Sequence, residues 1–119
     1  MTHRVNVRDG HLEAVSVKLG SRTSRDEVES AIRDFRSAID ELELPSAPRP
    51  VMVLESHIQR PQPRFDRDRG DGMTVVVGPV MPCAALDYKF RLLSHNTIRG
   101  AAGAAILNAE LLYKKGFIG

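Results

Sequence analysis

The chain has 119 residues, no tryptophan and only 5% aromatics, about one domain's worth of polypeptide whose core must be built from aliphatic side chains. A net charge of +2 is too small to argue for a nucleic-acid or membrane-surface partner, and no apolar run approaches the roughly 18 residues of a membrane span. The single cysteine, Cys83, cannot close an internal disulfide and fits a reducing, cytoplasmic setting.

The opening Arg4-Val5-Asn6-Val7-Arg8-Asp9-Gly10-His11 sets a guanidinium and an imidazole on either side of an Asp-Gly pair. A planar, permanently charged guanidinium can grip a carboxylate with two parallel hydrogen bonds. An imidazole can take and return protons near neutral pH. An uninterrupted strand would hold Arg4 and His11 about 23 Å apart and on opposite faces. The two can share one small ligand only if Asp9-Gly10 bends the chain, which glycine allows.

His11 to Leu19 alternates, with Val15, Val17 and Leu19 on one face and Ala14, Ser16 and Lys18 on the other, the period of a half-buried strand. Ser24 followed by Glu27 is a capping-box signature. Behind it Val28, Ala31, Ile32, Phe35, Ala38, Ile39 and Leu42 recur at helical spacing, which predicts an amphipathic helix from Arg25 to Glu41. Pro45, Pro48 and Pro50 mark a linker, and Val51 to Glu55 reads as a short strand. Arg60 to Gly72 mixes proline, arginine, aspartate and glycine and reads as a long loop whose arginines are paired with aspartates. Met73 to Val80 reads as a buried strand, and Asp87 to Leu93 alternates again with Tyr88, Phe90 and Leu92 on one side.

From Thr97 to Tyr113 the pattern is helical, with Asn96 or Ser94 able to cap it. Ile98, Ala101, Ala105, Ile106, Leu107, Leu111 and Leu112 surround most of the axis. A helix apolar nearly all round must be buried, and the rest of the chain offers little to bury it, which predicts a missing partner layer. The expected class is α+β: a mixed, largely antiparallel sheet of about four strands, one amphipathic helix and a C-terminal helix. Residues 1–93 form the sheet portion and 94–119 the terminal helix.

Three blocks, Arg4-Val5 through Gly10-His11, Arg60-Pro61-Gln62-Pro63-Arg64, and Ser94-His95-Asn96-Thr97-Ile98-Arg99-Gly100-Ala101-Ala102-Gly103, stand in the order seen in one family. With them the chain resembles the C-terminal part of the aspartate-semialdehyde dehydrogenases, in their archaeal and fungal branch. Asn6 and the Pro79 to Pro82 segment depart from that pattern without touching a chemical group.

The resemblance implies NADP-dependent reduction of aspartyl phosphate to aspartate semialdehyde and phosphate, through a thioacyl intermediate on a cysteine, within the synthesis of aspartate-derived amino acids. It implies His11 as the general acid/base, Arg4 as the substrate-carboxylate anchor, and Asn96 and Thr97 at the NADP site. Residues 1–93 would then be part of a catalytic and dimerisation domain in a homo-oligomer, with 94–119 packing on a cofactor-binding domain. No glycine-rich phosphate loop and no upstream cysteine are present in the sequence, so the isolated chain is expected to be inactive. Cys83 is expected to be an inert thiol, with no histidine or helix N-terminus evident to lower its pKa. His3, His57 and His95 lack metal-ligand spacing, and no metal is assigned. Two alternatives stand beside this reading: a related acyl reductase such as a malonyl-CoA reductase, and a non-catalytic oligomerisation module.

Overall fold

The computed structural model describes residues 6–119, and Arg4 therefore lies outside the described residues. In chain order the elements are strand β1 (His11–Val17), helix α1 (Arg25–Arg33), β2 (Met52–Leu54), a single-turn helix α2 (Pro63–Asp66), β3 (Val75–Val77), the two-residue β4 (Met81–Pro82), β5 (Tyr88–Ser94), a wide helical turn (Ile98–Gly103) and helix α3 (Ala104–Lys114). The sheet runs β1-β5-β3-β2, with β4 also bonded to β5. Every pairing is antiparallel except β2 with β3. A parallel pair needs a crossover, and residues 55–74, with α2 inside them, supply it. The mixed α+β architecture expected from the sequence is the one observed, with five strands rather than about four.

The two alternating segments meet as their patterns require. Val15 stands opposite Phe90 and Val17 opposite Tyr88, so the apolar residues of both strands share one face, and α1, packed mainly on β2, borders it across a groove lined by Val17, Val28, Ile32 and Phe90. On the other face Leu12 stands opposite Leu93, and Leu93 is fully buried with Val76 and Val80. Met73 to Val80 is almost continuously buried as expected, although only Val75–Val77 joins the ladder.

Helix α1 begins as the sequence demands. The Ser24 side chain accepts from the Glu27 N–H while the Glu27 side chain accepts from the Ser24 N–H. It ends eight residues earlier than its periodicity suggests, at Arg33 rather than Glu41. Local side-chain bonds explain the difference. The Ser37 N–H donates to the Asp40 carboxylate and the Ile39 N–H to the Ser37 hydroxyl, an alternative to helix that serine and aspartate offer. The turn they make delivers Ile39 and Leu44 into a cluster with Val51, Met73 and Leu107.

The C-terminal helix also departs from expectation. Residues 98–103 form a wide turn broken at Ala101 (φ −135°, ψ −118°), and the regular helix starts only at Ala104. Close packing accounts for the turn: a Cβ on Gly103 would lie 2.5 Å from Met73 Sδ and 2.9 Å from the Ile98 carbonyl oxygen. Neither Asn96 nor Ser94 caps this segment. Within α3 only Leu107 is buried, against the Ile39 cluster rather than the sheet. The Cα radius of gyration is 15.5 Å, above the roughly 13.5 Å of a compact chain this long. Helix α3 is held to the body by Leu107 and by the Glu110 carboxylate, which accepts from Ser46, while Ile106, Leu112 and Tyr113 stay more than a third exposed.

Candidate active site

The three sequence blocks that lie far apart along the chain converge at one end of the β1–β5 pair. Gly10 is where they meet. Its φ of +113° is open to glycine and strained for other residues, and it supplies the bend expected at Asp9-Gly10. A Cβ there would sit 3.2 Å from both Leu93 Cδ1 and Pro63 Cβ, so the start of α2 and the end of β5 press on the same point. The Gly10 N–H donates to Asn96 Oδ1 at 2.7 Å. The Thr97 hydroxyl lies 3.3 Å from Asp9 Oδ1. Gly72 closes the far side, where a Cβ would meet Ile98 and His95.

His11, the first residue of β1, stands opposite Ser94 and is exposed. The structure thus brings His11, Asn96 and Thr97 to one place. Asn96 uses its oxygen to hold the bend, which leaves its amide nitrogen as the end that could donate to a ligand. Its role differs from the helix cap foreseen for it. The anchoring role of Arg4 falls outside the described residues, so the convergence stands on His11, Asn96 and Thr97.

Two residues near the site carry more than sequence spacing suggested. Asp66, 1% exposed, accepts from Arg60 Nε at 2.6 Å and from the Gln62 N–H at 2.7 Å, takes a second bond from Arg60, and has Arg69 Nε at 3.3 Å. Burial pushes its pKa up. The hydrogen bonds from Arg60 and Gln62 and the charges of Arg60 and Arg69 outweigh that and carry the carboxyl below its ordinary value. Arg69 also pairs with Glu55, beside β2. The mixed-charge loop is therefore ion-paired, as its composition implied, and the pairing fixes where Pro63 meets Gly10.

His95 is the second. It is 4% exposed, with Nδ1 3.3 Å from the Thr97 hydroxyl and Nε2 3.7 Å from Asp68 Oδ1. Its place in the Ser94 to Gly103 block was the only signal that could have marked it.

Cys83 lies elsewhere. Its neighbour in space is Ser16, and Ser16 pairs with Lys89, five positions along the ladder from His11 and about 17 Å at the rise of a strand. The sequence offered nothing to lower its pKa, and here the structure corrects the expectation. Backbone N–H groups of Leu86 and Ala85, then the Ser16 hydroxyl, lower it. Distance still keeps this thiol from any reaction at His11. Among the described residues no helix is long and apolar enough to cross a membrane.

Residues 1–99 match the family model described as semialdehyde dehydrogenase, dimerisation domain. The aspartate-semialdehyde dehydrogenase of Archaeoglobus fulgidus is 44% identical over 116 residues, covering 98% of this chain and 33% of that protein. A malonyl CoA reductase (NADP) of Metallosphaera sedula is 39% identical over 119 residues, again 98% of this chain and 33% of that one. The fold superposes on a crystal structure of aspartate semialdehyde dehydrogenase with NADP from Candida albicans with a TM-score of 0.85 and 43% identity, over 97% of this chain and 33% of that one. The chain spans about a third of the length of the relatives it matches.

Proposed function

The chain belongs to the semialdehyde dehydrogenase family through its dimerisation domain, and from that premise we propose that it forms the acid/base and subunit-contact portion of an NADP-dependent aspartate-semialdehyde dehydrogenase. The observation that carries this reading is the meeting of all three blocks at Gly10.

In this reading His11 holds and returns the proton of the reacting group, at the strand start that the Gly10 bend aims. Arg4 grips the substrate's carboxylate from the same segment, seven residues earlier in the sequence. The donor set fits NADP. The turn at Ile98 has no side-chain cap; the Gly100 N–H is taken by the His95 carbonyl, and the N–H groups of Ile98 and Arg99 with the Asn96 amide are donors suited to an anionic or amide-bearing ligand. NADP, when bound, supplies the hydride, and Asn96 and Thr97 would hold it from this chain. Residues 94–119 would pack on the cofactor-binding portion, and the sheet portion would join subunits in a homo-oligomer acting on aspartyl phosphate, aspartate semialdehyde and phosphate in the cytoplasm.

The chain's one thiol lies at the wrong end of the strand pair, so the 119-residue polypeptide on its own is expected to show no NADP-dependent turnover. Joined to the remaining two thirds found in its relatives, it is expected to be active, and His11→Asn should lower kcat at least about 100-fold, the usual weight of a general acid/base. Turnover by the isolated chain, or a His11→Asn variant within tenfold of the parent (roughly, by the same scale), would overturn the reading. The Metallosphaera relative supports a second reading, an acyl-CoA reductase. Assaying malonyl-CoA beside aspartyl phosphate separates the two.

A further inference from the structure

We propose that His95 is a positioning residue that sets the shape of the His11 bend through the Thr97 hydroxyl. The inference rests on the reading of His11 given above, but its geometry is independent of any turnover. His95 is buried at the end of β5. Its Nδ1 lies 3.3 Å from Thr97 Oγ1, and the same oxygen lies 3.3 Å from Asp9 Oδ1. Asp9 immediately precedes Gly10, whose N–H is held by Asn96. The two residues before His11 are thus tied one to one to the two residues after His95, Asp9 to Thr97 and Gly10 to Asn96.

Proton counting gives this chain a direction. A threonine hydroxyl has one proton and a carboxylate can only accept. The hydroxyl therefore donates to Asp9 and must accept from the ring, so His95 carries its proton on Nδ1. Nε2 is turned toward the Asp68 carboxylate, 3.7 Å away on the Arg60 to Gly72 loop. In this tautomer Nε2 carries no proton and cannot donate to that carboxylate, so the ring ties the bend to the end of β5 and not to the loop. Both hydroxyl contacts are long for O–H bonds, so they restrain the bend rather than lock it.

One consequence alters the residue roles at the site. The Thr97 hydroxyl is engaged within the chain. Of the two residues proposed above for NADP, Thr97 would then meet the cofactor through its backbone and Asn96 through its amide nitrogen, since Asn96 Oδ1 already accepts from Gly10.

The test is made on the 119-residue chain, with two readouts: the His95 ring tautomer from a proton–nitrogen correlation spectrum, and hydrogen exchange of the Gly10 amide. The ring is expected to carry its proton on Nδ1. Thr97→Val should remove that preference and speed Gly10 exchange about fivefold, the equivalent of one modest hydrogen bond, while Thr97→Ser restores both. His95→Asn, whose amide can replace the Nδ1 donor, should keep Gly10 protected, whereas His95→Gln should not. A ring protonated on Nε2, or unchanged exchange in Thr97→Val, overturns the proposal. So does equal behaviour of the Asn and Gln variants. Should Thr97→Val fail to fold, the two His95 variants decide. None of these readouts requires catalysis, so their failure is distinct from failure of the enzymatic reading.

Discussion

The middle of the sheet, with the loop that crosses over it, and the two longer helices are built to different standards. Leu93, Val76, Val80, Pro61 and Asp66 are all under 2% exposed, and Asp66 is surrounded by donors. Helix α1, by contrast, has no buried residue and α3 has one. Phe35 on the α1 side, and Ile106, Leu112 and Tyr113 on α3, are more than a third exposed. The total surface of 7937 Å² exceeds that of a typical monomer of this size by about 1,500 Å². A region finished within itself lies beside two helices that leave apolar side chains in solvent. The finished region is the one that shapes the His11 bend.

The sharpest way to break this contrast is at Asp66. Asp66→Asn keeps the shape but removes the charge that Arg60 and Arg69 face, and stability to chemical denaturant is expected to fall by about 3 kcal/mol, as for other buried pairs deprived of one partner. The pH dependence has a definite sign. A carboxyl whose pKa is lowered on folding contributes stability above its unfolded value of about 3.9 and loses it as pH falls through the folded value. The gap between parent and variant should therefore be level near neutrality and shrink below about pH 4. A gap that widens in acid would mean the carboxyl is held by something other than its cationic neighbours.

Next in size is a matched pair of truncations. Leu93→Ala empties a fully buried site against Gly10 and Pro63 and is expected to cost about 3 kcal/mol. Leu112→Ala, on a side chain 43% exposed, should stay within about 0.5 kcal/mol. In a polypeptide of the relatives' full length the second value should rise toward the first, since α3 would then be covered. Equal costs in the isolated chain would show that α3 belongs to the closed region after all.

These contrasts bear on what the sequence alone could disclose. Alternation in His11 to Leu19 and Asp87 to Leu93 fixed both strands and the face they share, because a period of two has one physical meaning when a single side is buried. The capping box fixed the start of α1. Its end was hidden, since the apolar spacing continues to Leu42 while Ser37 and Asp40 bond locally and turn the chain away. The buried state of Asp66 was hidden as well, because composition implied arginine–aspartate pairs without saying which aspartate lies inside. At the site, motif order brought out His11, Asn96 and Thr97. The bonds that join them depend on a positive φ at Gly10 and on His95, and neither has a period to read.

The smallest effect tests the open side. Removing the cap with Ser24→Ala should cost about 1 kcal/mol, because the Glu27 N–H then loses its acceptor at the first turn. A helix of nine residues has little stability of its own, so the loss should surface as faster amide exchange throughout α1 and a looser cover over Val17 and Phe90. The Gly10 amide, bonded to Asn96 at the opposite end of the β1–β5 pair, should not respond. If it does, α1 and the bend open as one unit, and the helix that looks unfinished is already part of what holds His11 in place.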